Sequence, residues 1–207
     1  MTDLNKIYLY RMTHIENIAH LLVHGITHKD SVNANPDFNP IGDPSLITSR
    51  GNFPLVNGRT LGEYIPFYFG TRTPMLYVIQ KGFNGVTPTP PQEIVYCVST
   101  VRKILDTELD FVFTDGHAID SFTHQFTPAD VPELETLLDF EAIKTRDWNS
   151  ETDLDLKRRK QAEFLLFGDL PFKFISGFIV FNENAKSRLI EIGVSENQIH
   201  INNKAYF

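Results

Sequence analysis

One carboxylate stands between a run of cations and an apolar segment in the stretch KRRKQAEFLL, residues 157–166. Neighbouring cations favour the ionised form of a carboxylate and attract polyanions such as nucleic acids. On a strand, Gln161 and Glu163 would share one face and Ala162 would lie on the other. On a helix, Gln161 and Glu163 would diverge by about 200°, and the cations would form an ordinary solvated face. The pattern leaves both interpretations open and makes Glu163 a candidate catalytic carboxylate.

Three further stretches could present side chains to a ligand. RMTH, residues 11–14, carries a threonine and a histidine between a predicted strand and helix, although such a histidine can also be purely structural. YIPFYFGTRTPMLY, residues 64–77, gathers aromatic rings beside an arginine, which suits stacking of a base or nicotinamide but also a corner of the core. TDGHAIDS, residues 114–121, turns at Asp-Gly and projects His117 from a strand end or an ordinary loop.

Composition limits the class of protein. The 207 residues are 42% hydrophobic, which predicts one core and a single domain over residues 1–207. The net charge is −7, so an anionic partner would have to meet a local basic patch. The single cysteine, Cys97, lies in an apolar run and is expected to be a buried, inert thiol. The sequence shows neither a signal-peptide pattern nor a membrane-spanning run, so we expect a cytoplasmic protein without membrane contact.

Several common cofactor and catalytic motifs are missing from the sequence. It contains no GxGxxG, no phosphate-binding Gly-Lys-Ser/Thr loop, no HExxH and no GxSxG. The seven histidines have no convincing metal-ligand spacing. We therefore predict that the protein uses no metal ion.

The predicted elements indicate an α+β architecture with a largely antiparallel or mixed sheet. A strand at 7–12 precedes a helix that begins at a Thr13–Glu16 capping box and ends at Gly25. Residues 28–63 lack periodicity, so we expect an ordered functional loop, and a candidate lid, with little regular structure. Further strands are predicted at 74–80, 93–99, the start of 110–118, 163–171, 172–181 and 198–202, and helices at 131–146, 150–160 and 182–193.

Five motifs occur in a fixed order along the chain. They are YRMTHIENIAHLLVHGI, then Arg50, then YIPFYFGTRTPMLYVIQ, then TDGHA, then KRRKQAEFLL. From about residue 6 to the C-terminus, the chain resembles the DarT family of DNA ADP-ribosyltransferase toxins, from bacterial DarT–DarG toxin–antitoxin systems. The resemblance implies an ADP-ribosyltransferase fold, in which a split, mixed or antiparallel sheet with flanking helices clasps NAD+. It also implies that DNA is the acceptor.

The resemblance implies roles for particular residues. Gln161-Ala162-Glu163 resembles the Q/E-x-E signature of the superfamily, which makes Glu163 the catalytic carboxylate and favours the strand interpretation. Arg50 resembles the arginine that acts with it, and we assign it to orientation and charge stabilisation because an arginine pKa exceeds about 12. By position in the family motifs, the expected NAD+ contacts are Thr13, His14, Asn17, Tyr68, Met75 and Gln161, and the expected DNA contacts are His117, Lys157, Arg158 and Arg159.

The expected reaction transfers ADP-ribose from NAD+, as co-substrate, to a DNA base. Positive charge develops at C1′ of the ribose as nicotinamide leaves, and a carboxylate bonded to the 2′-hydroxyl stabilises that charge. Single-stranded DNA is the expected acceptor because an unpaired base is easier to reach. Overall similarity favours guanine, with thymine as the other candidate. The resemblance also implies an antitoxin partner with ADP-ribosyl glycohydrolase activity.

Three other functions are compatible with the residues. A related enzyme would use Glu163 to modify protein or RNA instead of DNA. A non-catalytic NAD+- or nucleic-acid-binding module would keep the aromatic and basic segments without needing Glu163. A purely structural domain would bind neither, and NAD+ would then give no thermal stabilisation.

Overall fold

The computed structural model describes residues 3–207, in which eight strands form one mixed sheet. The strands are β1 Tyr8–His14, β2 Tyr64–Tyr68, β3 Ile94–Thr100, β4 Phe111–Thr114, β5 Gln125–Phe126, β6 Glu163–Phe167, β7 Gly177–Val180 and β8 Ile199–Ile201. Their order across the sheet is β5-β4-β6-β2-β1-β3-β7-β8. Every neighbouring pair is antiparallel except β7 and β8, so the predicted mixed sheet is confirmed.

Short helices connect the strands. The α-helices of the described residues are α1 Ile18–His24, α2 Pro44–Arg50, α3 Pro74–Lys81, α4 Val101–Leu105, α5 Leu134–Leu137, α6 Phe140–Lys144, α7 Leu156–Arg159 and α8 Glu183–Ile192. Short 3-10 helices lie at Ile15–Asn17, Leu61–Glu63, Phe83–Gly85, Pro91–Glu93, Pro128–Glu133, Phe172–Phe174, Glu196–Gln198 and Asn203–Ala205. Within residues 3–207, no helix has the length and apolar character needed to cross a bilayer.

The sheet is split between β1 and β2. The strand β1 pairs with β3 along its whole length, and β2 pairs with β6 along its whole length. The strands β1 and β2, however, pair only at Tyr10 and Tyr68. The proline at position 66 of β2 has no N–H to offer, and its carbonyl accepts a hydrogen bond of 3.1 Å from the Arg11 side chain. The predicted split sheet is therefore confirmed, and a side chain bridges the gap.

The two faces of the sheet carry different cores. One face holds a continuous core against α1, α4, α5 and α8, formed by residues that include Leu9, Phe67, Val95, Cys97, Phe113, Phe164 and Phe178. On the other face, the residues near β1 and β3 pack with α3, whereas Leu55, Leu61, Val112 and Leu165 form a separate cluster. Cys97 is buried, as predicted, and burial raises the pKa of its thiol to about 12. The split thus opens between two small cores on one face.

The predicted strand at 74–80 is wrong, because these residues form helix α3. The Thr73 hydroxyl accepts a hydrogen bond from the Leu76 N–H, and Pro74 occupies the first turn, where its missing N–H costs nothing. Gly82 has a positive φ of 73° and ends the helix. Leu76 and Ile79 are buried at helical spacing. The β-favouring composition of MLYVI obscured these helix-end signals.

The helix after β1 begins differently from the prediction. His14, not Thr13, is the N-terminal cap, because its Nδ1 atom accepts a hydrogen bond from the Glu16 N–H. Gly25 ends the helix with a φ of 77°, as predicted. A side chain there would also meet the Leu170 carbonyl oxygen at 2.1 Å from its Cβ. The predicted capping box is therefore wrong, whereas the predicted helix end is confirmed.

Other predicted elements are present but shorter. The segment 131–146 is broken at Leu138, which has an extended backbone, and only Leu156–Arg159 of 150–160 is α-helical. The strand β6 stops before Gly168, which has a φ of 98°, and β7 covers only the second half of the predicted 172–181. The segment 28–63 contains helix α2 and the 3-10 turn Leu61–Glu63 and is otherwise irregular, so the expectation of little regular structure is largely confirmed. The strands predicted near β1, β3, β4 and β8, and helix α8, are confirmed.

Lys160 lies buried three residues before Glu163. Its Nζ atom donates to the carbonyl oxygens of Ile143 and Thr145, at 3.1 and 2.6 Å. Burial lowers its pKa to about 8, and the charge of Arg72 adds to this effect. The lysine thereby fixes the α6 end beside the start of β6 without a carboxylate partner.

Substitution of Lys160 should change how stability depends on pH. Between pH about 8 and the ordinary lysine value of 10.5, the unfolded chain keeps a proton that the folded protein has released. The free energy of unfolding of the wild type should therefore rise through this window relative to Lys160→Met. Urea denaturation at several pH values measures the difference. Lys81→Met, at an exposed lysine, is the control. The prediction is contradicted if, for both variants, the difference in free energy of unfolding from the wild type does not change with pH.

Candidate active site

Three side chains form a row across the split of the sheet. Glu163 begins β6 opposite Tyr68 of β2, and Tyr68 lies opposite Tyr10 of β1. Directly paired residues project to the same face of a sheet, so all three lie on the face that carries the two small cores. The Glu163 side chain is 0% exposed. The structure therefore places the candidate carboxylate at the base of the split.

Strand β4 and the turn after it hold Glu163 in place. The Glu163 N–H donates to the Thr114 hydroxyl at 3.1 Å, and that hydroxyl donates to the Gly116 carbonyl at 2.7 Å. One carboxylate oxygen, Oε1, accepts a hydrogen bond of 2.9 Å from the Ala118 N–H. The predicted TDGHA turn thus fixes the orientation of the carboxylate.

Arg50 approaches the same carboxylate from helix α2. The helix is capped by the buried Asp43, whose carboxylate accepts hydrogen bonds from the first-turn N–H groups, and Arg50 is its last residue. The Arg50 Nη2 atom lies 2.9 Å from Glu163 Oε2. Burial by itself lowers the pKa of Arg50, but the negative Glu163 outweighs burial, so the pKa stands above its usual value. Sequence reasoning paired these residues correctly across more than a hundred positions.

The Glu163 Oε2 oxygen has a vacant hydrogen-bonding position. Despite their short separation, the Arg50 Nη2 and Glu163 Oε2 atoms do not have the alignment of a hydrogen bond, and both are buried without another partner. A buried polar atom without a hydrogen bond is costly unless a ligand completes it. A sugar hydroxyl is a donor of the right kind, so these residues fit the ribose of NAD+.

The two tyrosines of the row are neutral at physiological pH. Burial raises the pKa of Tyr10, and burial followed by the negative charge of Glu163 raises the pKa of Tyr68 further. Neutral phenols can donate hydrogen bonds and offer flat ring faces, but they do not act as bases. Tyr68 was expected from the sequence. Tyr10 was missed, although the alternation in YLYRMTH places it on the same strand face as His14.

Two predicted NAD+ contacts lie on the same face as Glu163. The residues Tyr10 and His14 share one face of β1, and Met75 packs from α3 against the small core that includes Tyr10. The His14 Nδ1 atom caps the following turn, and its Nε2 atom lies 3.8 Å from Glu93 Oε2. Direct contact of His14 and Met75 with NAD+ stays a prediction.

Thr13 and Asn17 bond to each other on the opposite side of β1. The Asn17 amide donates to the Thr13 hydroxyl at 3.0 Å and to the Asn39 carbonyl at 2.8 Å. Its oxygen accepts from the Asn39 N–H at 2.8 Å and from the Asn35 amide at 3.4 Å. Asn17 therefore uses its whole side-chain hydrogen-bonding capacity, and three of its four bonds hold the segment before α2. NAD+ contacts by either residue stay predictions.

A cavity of about 490 Å³ has His117 and Gln161 among its lining residues, but Glu163 does not line it. It adjoins the Ala118 turn and brings together four predicted site residues with two exposed apolar side chains. Burial lowers the pKa of His117, so its ring is neutral at physiological pH. The lining residues are His117, Asp120, Phe122, Leu154, Asp155, Lys157, Arg158 and Gln161.

Ion pairs engage two of the predicted DNA-binding cations. Arg158 lies 2.8 Å from Asp115 and 2.7 Å from Asp155. Arg159 pairs with the carboxylates of Asp139, Asp153 and Asp155. Lys157 is exposed, and among residues 3–207 it has no carboxylate within ion-pair distance. Contacts of Arg158 and Arg159 with DNA stay predictions, and Lys157 is the available cation of the run.

The fold and the site together define an ADP-ribosyltransferase: a split sheet, a buried carboxylate at a strand start and an arginine over it. A family model described as "ssDNA thymidine ADP-ribosyltransferase, DarT" matches residues 10–207. The chain belongs to the DarT family of DNA ADP-ribosyltransferases. Within residues 3–207, no group of three or more His, Cys, Asp or Glu side chains is placed to hold a metal ion.

Relatives and solved structures agree with this assignment. A DNA ADP-ribosyl transferase of Escherichia coli O127:H6 is 32% identical over 89% of this chain and 84% of its own length. The structure of Thermus sp. 2.9 DarT in complex with ADP-ribosylated ssDNA is 27% identical, with a TM-score of 0.84 over 97% of this chain and 96% of that chain. The same Thermus protein in complex with NAD+ is 28% identical, with a TM-score of 0.79 over 97% and 98%.

One relative joins two activities in one chain. It is a DNA ADP-ribosyl transferase-DNA ADP-ribosyl glycohydrolase fusion protein of Thermosipho africanus. The present chain is 26% identical to it over 87% of this chain and 44% of that protein. The match therefore covers less than half of the fusion protein.

Removal of Arg50 should destabilise the fold through the carboxylate left behind. An uncompensated buried charge costs roughly 3–5 kcal/mol, so Arg50→Met should lower the free energy of unfolding by about that amount. The double variant Arg50→Met/Glu163→Gln should recover most of the loss. Urea denaturation followed by the fluorescence of Trp148, the single tryptophan, measures both.

The exposed Arg102 supplies the matched control for this cycle. Arg102→Met removes the same side chain from the surface of α4 and should change stability by less than about 0.5 kcal/mol. Equal destabilisation of the single and double variants would show that the charge of Glu163 is not the cause.

Proposed function

We propose that this protein transfers ADP-ribose from NAD+ to a base of single-stranded DNA and releases nicotinamide. The observation that carries the proposal is the buried Glu163, whose Oε2 oxygen lacks a hydrogen bond beside Arg50 at the split of the sheet. Residues 1–207 would act as one ADP-ribosyltransferase domain, since a single sheet connects the described elements. The relatives and structural neighbours support the same reaction.

Glu163 would bind the ribose of NAD+ next to the bond that breaks. Its Oε1 oxygen is held by the Ala118 N–H, so Oε2 is the oxygen free to accept from the ribose 2′-hydroxyl. Positive charge grows at C1′ as the bond to the nicotinamide nitrogen breaks, and the fixed carboxylate stabilises it. Arg50 supplies the opposite charge and helps to orient the carboxylate. Nicotinamide leaves as a neutral molecule with the electron pair of the broken bond.

The acceptor base would enter through the cavity next to the Ala118 turn. A nitrogen of the base attacks C1′ and forms the new glycosidic bond, and the proton on that nitrogen passes to Glu163 or to water. His117 and Gln161 line the path, and the ring of Phe122 is 79% exposed at its edge. Lys157 would meet the DNA backbone there. Single-stranded DNA suits this cavity because its bases need no unpairing.

The remaining predicted residues would serve NAD+ and DNA in the same arrangement. His14, Tyr68 and Met75 would line the nicotinamide side, and Thr13 and Asn17 would act mainly by holding the segment before α2. Arg158 and Arg159 would shape the DNA side through their ion pairs. The protein would act in the cytoplasm, where NAD+ and DNA meet. Its antitoxin partner would be an ADP-ribosyl glycohydrolase, an activity that the Thermosipho africanus relative carries on the same chain.

Substitution of the carboxylate should separate binding from turnover. Glu163→Gln keeps the shape of the side chain but removes its charge, so ADP-ribose transfer should fall by at least about a hundredfold. Thermal stabilisation by NAD+ should persist. Mass spectrometry of a single-stranded oligonucleotide incubated with NAD+ measures the transfer. The exposed Glu191→Gln is the control. Full activity of Glu163→Gln would show that the reaction does not require the carboxylate.

A panel of oligonucleotides can identify the acceptor base. Overall sequence resemblance predicts guanine, and the family description names thymidine. Oligonucleotides that lack either guanine or thymine, incubated with protein and NAD+, should lose modification in one set only, and fragmentation of the product names the modified base. Duplex DNA, RNA and a protein extract serve as controls, and modification of RNA or protein alone would favour the alternative acceptors.

A further inference from the structure

Aromatic rings and arginines meet beyond the end of β2. The residues Arg72, Tyr77, Arg146, Trp148 and Phe207, here called the Arg72–Phe207 cluster, come from three separate segments of the chain. None of these residues forms an ion pair with Glu163, and none lines the cavity at Lys157. The cluster lies on the α3 side of the sheet, which is also the face of Glu163.

The rings of the cluster contact one another edge to face. Tyr77 and Phe207 have centroids 5.1 Å apart, Trp148 and Phe207 5.4 Å, and Tyr77 and Trp148 5.8 Å. Phe83 stacks on Tyr77 and is 50% exposed. None of the three central rings is fully buried. Partly exposed rings in such a group offer faces and edges on which a base can stack.

The cations of this region have no acidic partner. The Arg72 guanidinium lies 4.0 Å from the centroid of the Phe207 ring, donates to the Tyr206 carbonyl and leaves its Nε atom buried without a hydrogen bond. Arg146 is exposed, and the nearby Lys160 bonds only to carbonyl oxygens. Within residues 3–207, none of the three has a carboxylate at ion-pair distance. Arg158 and Arg159, by contrast, are neutralised by aspartates.

These cations are suited to bind an anion. Asp147 lies between Arg146 and Trp148 in the sequence, but within residues 3–207 no carboxylate is at ion-pair distance from Arg72, Arg146 or Lys160. Cations held close together repel one another, and a phosphate between them removes that repulsion. Arginine binds phosphate with two parallel N–H groups, and it can lie on an aromatic ring at the same time. The combination of unpaired arginines and exposed rings suits a nucleotide better than a simple anion.

The backbone at Arg72 supports the assignment of a binding role. Arg72 has a φ of 52°, which is the left-handed region that residues other than glycine rarely adopt. Its N–H donates to the Tyr96 hydroxyl at 3.2 Å, which holds this conformation. Strained backbone of this kind is concentrated at sites that position ligands. The strain here directs the Arg72 side chain over Phe207.

The cluster is within reach of the catalytic site. Arg72 follows Tyr68 by four residues, so their Cα atoms are at most about 14 Å apart. Lys160 precedes Glu163 by three residues and bonds to the carbonyl of Thr145, next to Arg146. A DNA strand whose target base enters the cavity at Lys157 could therefore continue across the cluster.

We propose that the Arg72–Phe207 cluster binds a nucleotide of the single strand beside the target base. Arg72 and Arg146 bind its phosphate, and the ring of Trp148 stacks on its base. This inference deepens the proposed function, because it assumes single-stranded DNA as the acceptor. It assigns recognition of the flanking DNA to residues away from the basic run at 157–160.

Binding measurements with two surface variants test the assignment. Arg146→Ala and Trp148→Ala would be made in the Glu163→Gln protein, which prevents turnover, and their affinity for a fluorescently labelled single-stranded oligonucleotide measured by anisotropy. Each should weaken binding by about fivefold or more, because loss of a stacked ring or a phosphate contact has this effect. The slope of log Kd against log salt should also fall by about 0.7 for Arg146→Ala, the value for one phosphate on a single strand.

Arg102→Ala is the matched control. Arg102 is an equally exposed arginine on α4, which packs against the opposite face of the sheet. It should leave both affinity and salt slope unchanged. The NAD+ affinity of all variants, from calorimetry, should also remain that of the parent protein. Circular dichroism and thermal unfolding check that each variant is folded.

Three outcomes would overturn the assignment. If Arg146→Ala and Trp148→Ala bind DNA as well as Arg102→Ala does, the cluster does not contact the strand, although the proposed function can still hold. If they lose NAD+ affinity and keep DNA affinity, the cluster belongs to the NAD+ site. If the wild-type protein modifies and binds no DNA oligonucleotide, the proposed function and this inference fail together.

Discussion

A carboxylate without access to water needs its partners inside the protein, and Glu163 imposes that requirement on the surrounding fold. The Ala118 N–H binds one oxygen, and Arg50 supplies the opposite charge. Each comes from a different part of the chain, so the turn after β4 and the helix α2 must both be in place. The second oxygen remains without a hydrogen bond. In the proposed reaction, the ribose hydroxyl of NAD+ supplies the donor to this oxygen.

The candidate site residues were easier to predict from the sequence than the secondary-structure elements around them. Glu163 and Arg50 were found because their motifs resemble a family, and the register of β6 agrees with the strand interpretation. Helix α3 was missed because MLYVI favours strands by composition, whereas Thr73 and Gly82 at its ends decide the outcome. Tyr10 could have been found from strand alternation. Such short-range signals are readable when the ends of an element are weighed together with its interior.

Long-range contacts explain what could not be predicted. Arg158 and Arg159 form part of an unbroken basic run, but the run is largely neutralised by aspartates, some of them far away in the sequence. Arg72 and Arg146 lie far apart in the sequence but close enough in the structure to interact electrostatically, and within residues 3–207 neither has a carboxylate at ion-pair distance. A run of cationic residues in the sequence is therefore not the same as a group of unpaired cations on the folded protein. The difference depends on which carboxylates the fold brings near, and the sequence alone does not specify that.

The junction between β1 and β2 has a mechanical consequence. Each half of the sheet is joined internally by full ladders, but across the junction the halves meet at Tyr10 and Tyr68 and through the Arg11 bond to the Pro66 carbonyl. Few hydrogen bonds resist a change in the spacing of the halves there. On the face of Glu163 each half has its own small core, whereas the continuous core of the opposite face spans both halves. Side-chain substitutions along this seam therefore alter the crevice on one face, and the shared core on the other face limits how far the halves can separate.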